Sequence, residues 1–246
     1  MIALLLNSGR GTRMGAETKE HPKCMVRLNE SHTIISWQVE LLRRQGIKEA
    51  VVTTGPFADL LQAHLEGLHS GIRFIYVPNP DYATTNYIHS MHLAAEALAG
   101  QEVLSLHGDL VLAPSVMEAL VTAPVSTGVV DSTLPLPEKD FKARLAGPRI
   151  RAIGIHEFGA DCVASQPAYK FLAKDFARWM AEIAKFEERS EVTCYAENAF
   201  NAAWEDIPLY PLDVQGQLCS EIDNPEDWQR VSEAFRLMIN NPKEHA

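Results

Sequence analysis

The sequence contains few cysteines, and they stand far apart. Its 246 residues include four, none in a CxxC pair: Cys24, Cys162, Cys194 and Cys219. A disulfide framework or a cysteine-based zinc site needs closer spacings, so both are disfavoured. This usage is typical of a cytoplasmic protein, which is the location we expect.

Long apolar runs and an excess of positive charge are also absent. No apolar stretch approaches the roughly 20 residues of a membrane-spanning helix. Ile2–Leu6 is apolar, but no basic segment precedes it, so it predicts a buried strand rather than a signal peptide. The formal net charge of −10 disfavours general binding to nucleic acid or to anionic membranes. An anionic substrate is still compatible with this negative net charge, because a metal ion and a few cationic side chains can make the charge at one site positive.

Strand-length apolar segments alternate with helical periodicity through the first half of the chain. The predicted strands are Ile2–Asn7, Ala50–Thr54, Ile72–Val77, Glu102–Leu106 and Val125–Asp131. The predicted helices are Thr33–Gln45, a segment ending near Glu66, Tyr87–Ala99 and Val116–Val121. This alternation predicts an α/β fold, a Rossmann-like, mainly parallel mixed sheet with helices on both faces. The loops after these strands are expected to meet on one ligand-binding rim.

The alternation ends near residue 134. Residues 134–159 predict a hairpin that turns at 146–148, as part of a small hairpin and helix insertion. Further segments predict helices at Lys174–Glu188 and Ala196–Trp204, strands at Ile207–Leu212 and Leu218–Ile222, and a closing helix at Pro225–Met238 capped by Asn224. Residues 241–246 are expected to be frayed.

A short polar loop follows the first strand. It comprises Asn7, Ser8, Gly9, Arg10, Gly11, Thr12 and Arg13. Its small residues allow backbone N–H groups to approach phosphate oxygens, and Arg13 adds a planar cation. Met14 replaces the third glycine of a dinucleotide fingerprint, and no GKT or GKS follows as in a Walker loop. The loop therefore indicates a phosphate site of a different kind.

A lysine downstream makes the pattern specific. Lys23 follows Arg13 after nine residues, within Pro22–Val26. G-x-G-T-R-M followed by P-K-C-M-V resembles the signature of the nucleotidyltransferase superfamily. The resemblance implies that Arg13 and Lys23 are catalytic and stabilise the α-phosphorus and the leaving pyrophosphate. It also implies nucleotide contacts along the loop, from Asn7, Ser8, Gly9, Gly11 and Thr12, although the family commonly has Ala-Ala-Gly in place of Asn7-Ser8-Gly9.

Two acidic positions extend the resemblance. Asp109 follows the fourth strand in His107-Gly108-Asp109. Asp223 lies in Glu221–Trp228, which resembles the E-I-D-T-P-E-D-L closing motif of the superfamily. By resemblance, both aspartates ligate Mg²⁺, the expected cofactor. The alternative for Asp223 is a second cap on the last helix.

The segment Asn79–Met91 indicates one branch of the superfamily. It resembles the N-P-x-Y-x-x-T-N-x-x-S-L segment of choline-phosphate and 2-aminoethylphosphonate cytidylyltransferases. This resemblance implies nucleotide contacts from Tyr82, Thr85 and Asn86, and acceptor contacts from Asn86 and Ser90. Helix capping by Thr85 and Asn86 is the alternative.

Weaker matches add residues on the acceptor side. Asp131 and Lys142 match a strand-plus-hairpin segment, and Glu197 matches a later helix; a solvated hairpin lysine is the alternative for Lys142. A choline head would require an aromatic cage, for which the candidates are Tyr195, Phe158 and Trp204. A basic hairpin favours a phosphonate instead; its cations are Lys139, Lys142, Arg144, Arg149 and Arg151. The resemblance implies one domain over 1–246, with a nucleotide-binding half at about 1–131 and an acceptor-binding and closing half at about 132–246.

The resemblance thus implies a Mg²⁺-dependent cytidylyltransferase that transfers CMP from CTP to a small phosphonate or phospho-alcohol and releases pyrophosphate. UTP is the alternative nucleotide. The expected partners are CTP and the acceptor, without nucleic acid or membrane, and a homodimer is left open. A sugar-1-phosphate nucleotidyltransferase and a non-catalytic nucleotide-binding regulatory domain are the alternative functions.

Overall fold

A computed structural model describes residues 1–240, apart from the side chains at 16 and 17. The expected fraying of 241–246 lies outside this range. The strands are β1 (Ile2–Asn7), β2 (Glu49–Thr54), β3 (Arg73–Pro78), β4 (Val103–His107), β5 (Leu110–Leu112), β6 (Thr127–Asp131), β7 (Lys142–Ala146), β8 (Arg149–Gly154), β9 (Cys162–Phe171), β10 (Tyr210–Asp213) and β11 (Cys219–Glu221). The α-helices are α1 (Ile34–Arg44), α2 (Ala58–Gly67), α3 (Tyr87–Leu93), α4 (Ala95–Leu98), α5 (Pro114–Thr122), α6 (Ala173–Glu188), α7 (Ala196–Ala202) and α8 (Pro225–Asn240).

One mainly parallel sheet organises the described residues. Its strand order is β10-β6-β9-β4-β1-β2-β3, and the β7–β8 hairpin pairs onto β9. Along this order only the two pairings of β9, with β4 and with β6, are antiparallel. A separate antiparallel pair joins β11 to β5, the short strand that follows β4. The predicted mixed α/β sheet is confirmed.

The sheet buries apolar side chains on both faces. In β1, Ala3 and Leu5 pack into one core, whereas Ile2 and Leu4 pack into the other. The first core is covered by α1, α2, α5 and α8, and the second by α3, α4, α6 and α7. Because both faces of β1 are buried, polar groups can emerge only where the strand ends. No helix in residues 1–240 is long and apolar enough to span a membrane.

Most of the predicted elements are confirmed, with three differences. The short strand β5 was not predicted. The predicted helix Tyr87–Ala99 is interrupted at Ala94, between α3 and α4. Strand β9 was not predicted. Pro167 lies within it, at the position where the pairing with β6 shifts register between Gly128 and Val130. A bulge tolerates proline in a central strand because the normal ladder is already broken there.

Candidate active site

A cavity of about 410 Å³ opens at the carboxyl ends of β1, β3 and β4. The glycine loop after β1 and the segment between β3 and α3 line it. The strand β11 and the residue that follows Ile222 contribute acidic side chains to the lining. Twelve of the predicted site residues line this cavity: Asn7, Ser8, Gly9, Gly11, Thr12, Arg13, Lys23, Tyr82, Thr85, Asn86, Asp109 and Asp223.

An ion-pair cluster lies at the middle of the cavity. Lys23 Nζ donates to Asp109 Oδ2 at 2.6 Å and also to Asp223 Oδ1. Arg13 contacts the same oxygen of Asp223 at 3.0 Å. Burial works to lower the pKa of Lys23, but Asp109 and Asp223 outweigh it and raise that pKa above its usual value. The ammonium group is therefore held charged beside two carboxylates.

A second carboxylate cluster adjoins Asp109. His107, Asp109 and Glu221 each offer a ligand atom within 4.8 Å of the others. Burial and the charge of Asp109 raise the pKa of Glu221 to about 7, although His107 opposes this shift. Asp109 Oδ1 is buried and has no hydrogen-bond partner within residues 1–240. A carboxylate oxygen without a partner, next to two further acids, fits a hard divalent cation.

Glu221 is a site residue that the sequence reasoning missed. It precedes Asp223 by two positions, and Ile222 between them is buried in the core. In extended backbone, residues two apart project to the same side. The alternation in Glu221-Ile222-Asp223 was the available signal, since it places both acids on the cavity wall.

Tight backbone packing fixes the glycine loop. A Cβ at Gly55, after β2, would lie 2.2 Å from the carbonyl oxygen of Ser8, and a Cβ at Gly108 would lie 1.9 Å from Asn7 Oδ1. The Asn7 N–H donates to Thr53 Oγ1 at 3.0 Å. The Asn7 side-chain nitrogen is buried without a partner in the described chain. Backbone packing thus holds Asn7 and Ser8 at the start of the loop, and Asn7 offers a donor there.

The segment after β3 forms a network of hydroxyl and amide groups. Asn79 Oδ1 accepts from the Asp81 N–H at 2.8 Å, which directs Asn79 Nδ2 to Thr85 Oγ1 and Ser90 Oγ. Asn86 Oδ1 accepts from the Tyr87 N–H at 2.8 Å, so Asn86 caps α3 while it also lines the cavity. Asn86 therefore caps α3, as the alternative interpretation predicts, and also lines the cavity.

Aromatic rings also line the cavity. Tyr87 packs edge-on against His107 with ring centroids 4.5 Å apart, and Tyr195 packs against Phe141 at 5.1 Å. Of the three proposed cage residues, only Tyr195 lines the cavity. Phe158 lies under the Lys142 ammonium, and Trp204 lies under the Arg149 guanidinium.

Four predicted acceptor residues do not line the cavity and instead bind other parts of the chain. Ser90 bonds to Ser8 and Asn79, and Asp131 accepts from Thr133 and Gly216. Lys142 is fully buried and donates to the Pro137 carbonyl at 2.7 Å, and Glu197 accepts from Tyr87 and Tyr169. Direct acceptor contact from these four residues stays a prediction, although none of them is part of the cavity lining. Asp131 and Lys142 lie outside the lining because β9 separates β6 from β4 and carries the hairpin, which displaces both residues from the centre of the rim.

The fold, the glycine loop and the carboxylates at the strand ends together define a nucleotidyltransferase. Residues 3–146 match the MobA-like NTP transferase domain, and the chain belongs to this family.

The proteins similar to this chain include two relatives and one solved structure. CMP-5'-(3-aminopropyl)phosphonate synthase of Streptomyces rubellomurinus is 33% identical over 150 residues, which cover 61% of this chain and only 22% of that protein's length. Choline-phosphate cytidylyltransferase of Streptococcus pneumoniae is 31% identical over 247 aligned residues, which cover 96% of this chain and 99% of that protein. The structure of CTP:phosphocholine cytidylyltransferase from Streptococcus pneumoniae has a TM-score of 0.76 at 20% identity and covers 95% of this chain and 99% of that one. At that identity the structural likeness shows a shared fold.

Proposed function

We propose that the protein is a Mg²⁺-dependent cytidylyltransferase that transfers CMP from CTP to a small phosphonate or phosphorylated acceptor and releases pyrophosphate. The observation that carries this proposal is the position of Lys23, whose ammonium group lies between Asp109 and Asp223 beside the glycine loop. Transfer of a nucleotidyl group requires cations placed around the α-phosphorus and a site for the metal that accompanies the triphosphate.

Three chemically different groups of side chains line the cavity and suit the three parts of this reaction. Asn79, Tyr82 and Thr85 offer neutral hydrogen-bonding groups, which suit a nucleobase. Lys23 and the carboxylates suit a triphosphate and its metal. Phe141 and Tyr195 are aromatic, which suits the organic part of an acceptor.

The carboxylates Asp109, Glu221 and Asp223 are the residues that would hold Mg²⁺. Bound there, the ion would supply charge neutralisation for the phosphate oxygens. The backbone N–H groups of the glycine loop would hold the triphosphate, and Arg13 and Lys23 would turn from Asp223 to the phosphates. Both cations line the cavity beside the glycine loop, and in this proposal they neutralise the charge of the leaving pyrophosphate.

No general base is required on the protein. A phosphonate or phosphate oxygen of the acceptor is already ionised at neutral pH and can attack the α-phosphorus in line with the leaving group. Catalysis then consists of alignment and charge neutralisation. The acceptor class is supported by the two relatives, whose names specify an aminopropylphosphonate product and choline phosphate.

Pyrophosphate release by the purified protein tests this function. CTP and UTP would each be supplied with Mg²⁺ and one acceptor from a panel of phosphocholine, 2-aminoethylphosphonate, other small phosphonates and hexose phosphates. We expect release with CTP and one of the small acceptors, together with a CMP-acceptor product detected by mass. Release only with hexose phosphates would favour a sugar-1-phosphate enzyme, and no release with any pair would favour a non-catalytic nucleotide-binding domain.

A further inference from the structure

Ser8 and Ser90 form a buried hydroxyl pair beside Asn79, one of the neutral groups that line the cavity. Their Oγ atoms lie 2.5 Å apart, and both residues are at most 5% exposed. Ser8 lines the cavity, whereas Ser90 lies on α3 and is not part of the lining.

The direction of the hydrogen bond in this pair follows from counting hydrogens. The Asn79 amide is oriented by the Asp81 N–H, so its nitrogen donates to Ser90 Oγ at 3.0 Å. Ser90 already accepts one hydrogen bond, and within residues 1–240 its only other partner is Ser8. Either direction leaves one hydroxyl hydrogen without an acceptor in residues 1–240, which is costly for a buried group. Ser8 lines the cavity, where its hydrogen can reach a ligand, and Ser90 does not, so the favoured direction is from Ser90 to Ser8.

This direction fixes the polarity of Ser8. Its oxygen accepts from Ser90, and its own hydrogen has no acceptor in the described chain. The hydroxyl therefore presents a donor to the cavity, oriented by Asn79 through Ser90. The unpartnered side-chain nitrogen of Asn7, in a residue 8% exposed, lies one position away and offers a second donor.

We infer that the Ser8 hydroxyl, held as a donor by Ser90 and Asn79, reads the Watson–Crick edge of the nucleobase and selects cytosine over uracil. This inference rests on the proposed nucleotidyl transfer. Cytosine presents an acceptor at N3, whereas uracil presents an N–H at the same position. A fixed donor would bond to the first and oppose the second, and sites that rely on such a bond discriminate strongly against a mismatched ligand.

Three variants separate this role from a structural one. Ser8→Ala removes the donor. Ser90→Ala removes the group that fixes its direction, so that Ser8 can donate or accept. Ser232→Ala is the matched control, because Ser232 is a buried serine on α8, away from the cavity, whose hydroxyl has no partner in the described chain.

Equilibrium binding of CTP and of UTP to each variant, without acceptor, provides the test. We expect the wild type and Ser232→Ala to bind CTP more tightly than UTP. Ser8→Ala should weaken CTP binding by roughly tenfold or more and change UTP binding little, as for a lost buried hydrogen bond. Ser90→Ala should lower the CTP-to-UTP ratio mainly by improving UTP binding.

A CTP-to-UTP binding ratio within twofold of the control in both Ser8→Ala and Ser90→Ala would overturn the inference. If Ser8→Ala fails to fold, Ser90→Ala alone decides the question. The wild-type pyrophosphate assay is read separately: absence of release with every nucleotide would count against the proposed function, while the binding ratios would still report on base selection.

Discussion

Asp109 and Asp223 come from distant parts of the chain and share one counter-ion, the ammonium group of Lys23. Asp109 lies in the turn between β4 and β5, and Asp223 follows β11, so the pairing of β5 with β11 brings them together. The lysine thus lies between two proposed metal ligands.

This arrangement predicts competition between Lys23 and the metal. In the absence of nucleotide, Lys23→Met should bind Mg²⁺ or Mn²⁺ roughly tenfold or more tightly than the wild type, because charge-assisted hydrogen bonds worth ~1.5–3 kcal/mol no longer hold the carboxylates. Calorimetric titration with the metal alone measures this. Lys48→Met, which removes an exposed cation outside the cavity, should leave the affinity unchanged. Equal affinities in all three proteins would contradict the competition.

Two glycines of the nucleotide loop region should respond differently to a methyl group. Gly55→Ala should lower the free energy of unfolding by about 1–3 kcal/mol, because the added Cβ meets the Ser8 carbonyl and backbone cannot move aside as a side chain can. Gly9 has no heavy atom within 4 Å of its added Cβ, so Gly9→Ala should change stability by less than about 0.5 kcal/mol.

Nucleotide affinity provides the second readout for this pair. Gly9→Ala should still weaken CTP binding, because its methyl group would occupy the space through which phosphate oxygens approach the loop backbone. Chemical denaturation and CTP titration measure the two quantities. Unchanged CTP binding in a stable Gly9→Ala protein would refute the proposed phosphate contact.

Two neighbouring lysines separate a structural cation from a functional one. Lys142→Met should lower stability by ~1 kcal/mol through the lost bond to Pro137, with little change in the KM of either substrate. Lys139 is exposed at the cavity rim, and Lys139→Met should raise the acceptor KM about two- to fivefold, as expected for loss of an exposed ion pair of ~0.5–1 kcal/mol. A larger rise in the acceptor KM for Lys142→Met than for Lys139→Met would contradict this prediction and would support the acceptor contact that the sequence predicts for Lys142.

The effects of substituting Tyr87 and Tyr169 on stability should be coupled, because both hydroxyls donate to the buried Glu197 carboxylate. Tyr87→Phe and Tyr169→Phe should each lower the free energy of unfolding by about 1–3 kcal/mol, because each hydroxyl donates to Glu197. In the double variant the two losses should not be additive, since they share one acceptor. Only Tyr87→Phe should change the acceptor KM, because Tyr87 lines the cavity and Tyr169 does not.

Tyr169 also predicts a loss of stability at alkaline pH. Burial, followed by the charge of Glu197, raises the pKa of Tyr169 well above 10 in the folded protein. The folded state therefore holds this proton more tightly than the unfolded state, so the contribution is complete below pH 10 and is lost as the pH rises toward the folded pKa. The stability difference between wild type and Tyr169→Phe should shrink above pH 10 in denaturation experiments; a constant difference would contradict the buried donor.

The sequence predicts the nucleotide side of the cavity better than the acceptor side, for a physical reason. Lys23 and the glycine loop are local motifs beside strands whose apolar runs are unmistakable. Strand β9 is buried on both faces and contains Pro167, so it shows neither alternation nor an uninterrupted strand pattern. Because β9 inserts between β4 and β6, missing it placed Asp131 too close to the centre of the rim.

The direction of the hydrogen bond between Ser90 and Ser8 also could not be predicted from the sequence. The exchange of Ala-Ala for Asn7-Ser8 marks an unusual position, but only the structure shows that Ser90 lies behind Ser8 and that Asn79 orients both. The proximity of Glu221 to Asp109 likewise depends on the pairing of β5 with β11.

Pyrophosphate release from CTP in the wild type, Lys23→Met and Asp109→Asn tests the central claim most directly. With Mg²⁺ and the preferred small acceptor, we expect wild-type turnover and a loss of about 100-fold or more in each variant, the size seen when one preorganised electrostatic group is removed. Circular dichroism should show all three folded, and Lys48→Met should match the wild type. Near-normal release in folded Lys23→Met or Asp109→Asn would contradict the assignment of this cluster as the nucleotidyl-transfer site.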